Sequence, residues 1–88
     1  MKITIRNSPV YRYVWIFLDD KKLQWCVSAD EEHGEILQVA LNQEGRPYLD
    51  PQTKRPVLEV CRGRVDIVLK PNAPEHIVLL YNAMRRLA

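Results

Sequence analysis

The sequence predicts an α+β domain: an antiparallel β-sheet of five or six strands followed by one C-terminal helix. Two observations carry this. Short apolar runs that alternate every second residue recur from residue 3 to residue 69, with Gly, Pro, Asp and Asn turn signals between them. Only the segment from Pro74 to Leu87 repeats its apolar residues at three- and four-residue spacing. The 88 residues contain no internal repeat or linker, so residues 1–88 read as a single domain. The strands are expected as a meander, either open or curled into a small sandwich or barrel.

Residues 3–6 form a short first strand, closed by the turn Asn7-Ser8-Pro9. Val10 to Leu18 then reads as one nine-residue strand. It carries Tyr11, Tyr13, Trp15 and Phe17 on one face, and Val10, Val14, Ile16 and Leu18 with Arg12 on the other. The next strand, Leu23 to Ala29, has Leu23, Trp25, Val27 and Ala29 on one face. A two-residue turn at Asp20-Lys21 would set Leu18 opposite Leu23, Ile16 opposite Trp25 and Val14 opposite Val27.

After the turn Asp30 to Gly34, residues 35–42 contain helix-favouring Glu, Leu, Gln and Ala. Their length and the flanking glycines decide for a strand. Residues 46–56, with three prolines, form the long connection. Val57–Cys61 and Arg64–Leu69 read as a hairpin about Arg62-Gly63, with Val60 opposite Val65 and Leu58 opposite Ile67. That register also sets Glu59 opposite Asp66, an unfavourable pair. The helix begins at Pro74, with Glu75 at its positive end and Arg85 and Arg86 at its negative end. Its buried stripe is Ile77, Leu80, Tyr81, Met84 and Leu87, the Tyr81 hydroxyl needing a polar partner at the edge.

Catalytic parts are scarce. His33 lies among Asp30, Glu31, Glu32 and Glu35, but the spacing fits neither a calcium loop nor a zinc helix and reads as an exposed acidic turn. His76 reads as a solvated helix residue. Ser8 and Ser28 have no adjacent histidine, and Gly34, Gly45 and Gly63 are too isolated to cradle a phosphate. Cys26 and Cys61 are expected as buried free thiols; two cysteines alone make no zinc site, and there is no Cys-x-x-Cys motif. No cofactor or metal is expected, and the chain reads as non-enzymatic. Met1 to Ile5 leads straight into a polar turn with no apolar leader core, and no run approaches a membrane span. A cytoplasmic protein without a membrane partner is the expectation.

Function is therefore sought in binding. An aromatic side chain buries about 150–250 Å², so even half of a stripe of four leaves some 300–500 Å² to be covered. One helix covers one face of about two strands, which leaves a second apolar face. Tyr11, Tyr13, Trp15 and Phe17 are the expected partner-binding residues, and the expected partner is protein, first of all a second copy of the chain.

A different class of ligand is also open. Small sheets with aromatic faces stack single-stranded nucleic acid, and Arg12, Arg46, Lys54, Arg55, Arg62 and Arg64 could track its backbone. Against this stand a net charge of only +2 and the acidic turns at both ends of the second long strand.

The run Cys26-Val27-Ser28-Ala29-Asp30-Glu31-Glu32-His33-Gly34 resembles the Cys-Val-x-Ala-Asp-Glu-Glu-x-Gly run of small proteins from tailed phages and prophages. So does the order Gly45-Arg46-Pro47, Asp50-Pro51, Glu59 and Gly63-Arg64-Val65. The likeness spans residues 14–69 and rests on turn residues. It implies a phage-encoded protein, acting in the host cytoplasm or the virion, and brings no catalytic residues with it. In that setting a homo-oligomeric minor assembly or accessory protein is expected; the alternative is an inhibitor of a host enzyme or defence complex.

Overall fold

The computed structural model describes residues 1–6 and 8–87, so Asn7 of the first expected turn lies outside the described residues. The strands are β1 (Lys2–Thr4), β2 (Val14–Leu18), β3 (Lys21–Lys22), β4 (Cys26–Asp30), β5 (Glu35–Val39), β6 (Leu58–Arg62) and β7 (Val65–Leu69). A 3₁₀ turn covers Pro9–Tyr13, and helix α1 covers Glu75–Leu87. Two antiparallel sheets result, one ordered β1-β4-β5-β6 and the other β3-β2-β7. The α+β class and the C-terminal helix are as the sequence predicts. The expected count of five or six was loose: among the described residues seven strands form two sheets, and neither closes into a barrel.

The inner faces of both sheets share one core. Ile3, Ala29 and Ile36 come from the larger sheet and Val14, Ile16, Val65 and Ile67 from the smaller, joined by Val10, Ile77 and Tyr81. In the smaller sheet, β2 lies against β7 in the register Val14↔Leu69, Ile16↔Ile67, Leu18↔Val65, an entirely aliphatic inner row. Burial of these side chains, at about 25 cal/mol per Å², is the main term holding the sheets together.

Four sequence expectations are corrected. The nine-residue strand is the first. Its initial residues coil into the 3₁₀ turn because Pro9 is preset for a first helical position and donates no N–H to a ladder, while Ser8 accepts the Tyr11 amide at 3.1 Å. Coiling drives Val10 fully into the core.

The β2–β3 turn is Asp19-Asp20, not Asp20-Lys21, giving Leu18↔Lys21 and Phe17↔Lys22. Both turn residues have positive φ (50° and 68°), as a type I′ hairpin turn demands. Asp tolerates that conformation better than Lys. The register moves by two residues, so the faces are conserved while the partners change.

The second long strand is broken. β3 ends at Lys22, and the chain enters the larger sheet at Cys26 with a bulge between Cys26 and Ser28. The extra residue resets the alternation, so Cys26 and Ala29 both point inward while Trp25 lies exposed.

Finally, β6 and β7 do not form a hairpin. β6 pairs with β5 (Leu37↔Val60, Gln38↔Glu59), and the chain crosses between sheets at Gly63. Val60 is 59% exposed and Val65 is 5% exposed, so they sit on different faces. The crossing also relieves the expected Glu59–Asp66 repulsion: Glu59 accepts from Gln38 Nε2 at 2.8 Å, and Asp66 accepts from Arg64 Nε at 3.2 Å.

Residues 35–39 are strand, as expected; the segment ends earlier, with Leu41 in an isolated bridge to Pro47. In α1, Ile77 and Tyr81 are buried and Met84 packs on the core, but Leu80 and Leu87 of the expected stripe are exposed. The Tyr81 hydroxyl finds its polar partner, donating to the Ile67 carbonyl at 2.7 Å.

Candidate binding sites

Tyr11 and Tyr13 lie on the 3₁₀ turn, and Trp15 and Phe17 on the outer face of β2. They do not form one stripe. Tyr11, Tyr13 and Trp15 instead line an open cleft of about 1260 Å³ between the 3₁₀ turn, β3 and the start of α1, and Phe17 is not part of its wall. Tyr11 is anchored at the floor, its hydroxyl donating to the Cys26 carbonyl, and burial raises its pKa, with the Cys26 sulfur adding to the rise. Helix α1 borders this cleft through His76 and Ile77 without filling it.

The charges of the cleft are one-sided. Arg6, Arg12, Lys22 and Lys70 line it, and among the described residues no Asp or Glu does. None of these cations is in an ion pair with another described residue. Lys22 Nζ stands 5.0 Å from the centre of the Trp15 ring, and Lys70 Nζ donates to the Arg12 carbonyl at 3.3 Å. The acids close in sequence are engaged elsewhere. Asp19 accepts the Arg64 amide at 2.9 Å, Asp20 pairs with the Arg64 guanidinium, and Asp30 pairs with His33.

A second surface lies on the larger sheet. On its outer face Leu37 stands opposite Val60 and Val39 opposite Leu58, and Leu58 and Val60 are both exposed. β6 is also the edge of that sheet. Gly63 donates to the Gly34 carbonyl at 2.9 Å and Ala40 to the Val57 carbonyl at 2.8 Å. By antiparallel alternation, Leu58, Val60 and Arg62 therefore turn their backbone N–H and C=O away from β5. The corresponding edge of the smaller sheet is closed at Ile67, whose amide and carbonyl bond to Glu31, Tyr81 and Arg85.

The remaining polar groups offer little chemistry. Burial pushes the Cys26 thiol up to about 11, outweighing the opposing backbone hydrogen bond at Ser28, so the group is a thiol at neutral pH. Cys61 is half-buried and accepts from Gln38 Nε2 at 3.4 Å. At Asp30, desolvation acts to raise the carboxyl. The hydrogen bonds from the His33 amide and ring, the His33 charge and the Glu32 amide outweigh it and hold the group below its ordinary value. The His33 ring stands in solvent, 2.8 Å from Asp30, and among the described residues no cluster of His, Cys, Asp or Glu is placed to hold a metal ion. No described helix is long and apolar enough to cross a membrane.

Sequence reasoning did not single out Arg6, Lys22 or Lys70, because only the fold brings residues 6, 12, 22 and 70 to one cleft. It also placed Val60 inside. The alternation of β6 was visible, but not which sheet it joins. Comparison with protein-family models, curated proteins and solved structures returned no match.

Proposed function

We propose that the chain is a non-catalytic protein-binding domain whose first partner is a second copy of itself, joined through the free edge of β6. The carrying observation is the contrast between the two sheets: the β7 edge is closed by side chains, whereas β6 is open and carries exposed Leu58 and Val60. An open apolar edge is a template for strand addition.

Antiparallel pairing about a two-fold axis at Val60 sets Leu58 opposite Arg62 of the second copy and Glu59 opposite its Cys61, with no like charges facing. A shift by one pairing step in one direction would set Glu59 against Glu59. The apolar patch of Leu37, Val39, Leu58 and Val60 would then run continuously across two copies. The likeness of residues 26–34 to tailed-phage proteins supports an accessory or assembly role for such an oligomer.

Light scattering behind a sizing column tests this. The expected species has twice the 10.3 kDa chain mass, and Val60→Lys reverts it to the single chain. A wild-type chain of 10.3 kDa at every concentration up to about 100 μM would overturn the reading, since a specific dimer is expected to form by micromolar levels.

A further inference from the structure

The cleft beside the 3₁₀ turn is independent of the β6 edge, and its chemistry is different. We propose that it binds single-stranded nucleic acid, with Arg6, Arg12, Lys22 and Lys70 on the phosphates and Tyr13 and Trp15 against the bases.

Three observations converge. Charge comes first: four cations and no described carboxylate line the cleft, in a chain with 11 acidic residues and a net charge of only +2. The segregation is produced by the fold, because the Arg64 backbone amide holds Asp19, its guanidinium pairs with Asp20, and Arg85 pairs with Glu31. The carboxylates of the acidic turns that argue against nucleic acid in the bare sequence are thus held outside the cleft lining. Unpaired cations in a concave, partly low-dielectric wall focus a positive potential on whatever enters.

Distribution is the second. The cations come from four separate points of the chain: before the 3₁₀ turn, within it, on β3 and after β7. A single phosphate or carboxylate would need two or three donors converging on one spot. Cations spaced along an open cleft of about 1260 Å³, larger than the 300–1,000 Å³ usual for a small-ligand pocket, suit a chain of phosphates.

Third, the wall between the cations carries half-buried aromatic rings, Tyr13 and Trp15. Unpaired bases stack on such rings, at about 1–3 kcal/mol per base, whereas a duplex hides its base faces. Lys22 over one side of the Trp15 ring adds a cation beside the base position rather than an obstacle fixed in place, since its ammonium has no carboxylate partner among the described residues.

The experiment is fluorescence anisotropy of a labelled 20-nucleotide oligo-dT titrated with the full chain at several salt concentrations. With four phosphate contacts on a single strand, raising salt from 50 to 200 mM is expected to weaken binding about 50-fold. The double variant Arg12→Gln/Lys22→Gln changes two exposed side chains, so circular dichroism should match the wild type. It is expected to halve the salt slope and to weaken binding at least about tenfold at 50 mM salt. Arg55→Gln, on the long connection and not part of the cleft wall, should bind as wild type, and so should Val60→Lys, which separates this site from the β6 edge. Three results would overturn the proposal: no binding at 50 mM salt, a double variant that binds as wild type, or a duplex of the same length bound as tightly as the single strand.

Discussion

Glu31 and Arg85, 54 positions apart in the chain, meet over the outer edge of β7 in a two-pronged pair: Nη1 and Nη2 each stand 3.1 Å from the carboxylate. Oε2 of Glu31 also accepts the Ile67 amide at 3.0 Å. Tyr81 and Arg85 donate to the Ile67 carbonyl, and Arg85 Nε donates to the Tyr81 hydroxyl at 2.7 Å. Desolvation works to lower the Arg85 pKa, but the hydrogen bonds and charges of Tyr81 and Glu31 outweigh it and hold the guanidinium more firmly protonated. Side chains from a turn and a helix thus supply what a neighbouring strand would give, and they block further pairing at that edge.

Glu31→Gln is accordingly expected to cost about 1–2 kcal/mol in urea unfolding. This is the low end for hydrogen bonds to charged groups, because the Arg85 side chain is 41% exposed. Arg85→Gln should cost a similar amount, and the double variant should cost less than the sum, since both remove the same contacts.

Gly63, where the chain leaves the larger sheet, donates to the carbonyl of Gly34 in the β4–β5 turn, and the two glycines should respond unequally to alanine. Gly34 has φ +63°, and a Cβ there would stand 2.5 Å from the Gly63 carbonyl oxygen. A Cβ at Gly63 would first meet the Asp19 carboxylate, at 2.5 Å, which can swing away at the expense of its bond to the Arg64 amide. Denaturant titration should show Gly34→Ala costing about 2–3 kcal/mol and Gly63→Ala about 1 kcal/mol.

Cys26 supplies a pH dependence. Its folded pKa is raised from 9.0 to about 11, so the folded state holds the proton more tightly than the unfolded one. The associated stability is fully present below pH 9 and is lost as pH rises through about 11, a decline of at most about 3 kcal/mol. Cys26→Ala should flatten that decline in unfolding titrations between these limits. At pH 8 a thiol reagent should modify Cys61 well before Cys26, as mass spectrometry of the products would show.

Lysine at Val60 and at Val65 separates the two sheets. Val60→Lys is expected to change monomer stability by no more than about 0.5 kcal/mol, whereas Val65→Lys puts a charge into the core and should cost more than about 4 kcal/mol. Equal costs would mean that the two valines share one face, as a β6–β7 hairpin requires.

Much of this architecture was legible. Two-residue alternation placed strands at residues 35–42, 57–61 and 64–69, which contain most of β5, β6 and β7, and at residues 23–29, of which only the second half is strand; helical spacing placed α1, because each pattern is a local property of the chain. Pairing was not legible. Alternation states that Val65 and Ile67 share a face but not that the strand opposite is β2 rather than β6. The 3₁₀ turn had a visible cause in Pro9, which the aromatic density of residues 10–18 outweighed. The bulge at Val27 left no mark, since an extra residue in an alternating run looks like any other. For the candidate cleft, Tyr11, Tyr13 and Trp15 were found from composition, Arg12 was weighed only as part of a scattered basic set, and Arg6, Lys22 and Lys70 emerged only from topology.

The pairing of β2 with β7 also governs how the chain reaches this structure. Ile16 and Ile67 face each other across about 50 residues, and the loop-closure entropy of that whole segment opposes their first contact. Until Val65–Leu69 is available, the most apolar strand of the molecule has only the two-residue β3 as its ladder partner. Folding is therefore expected to be slow for 88 residues, on the millisecond-to-second scale of non-local β-proteins, with Val14–Leu18 the segment most exposed to mispairing while it waits.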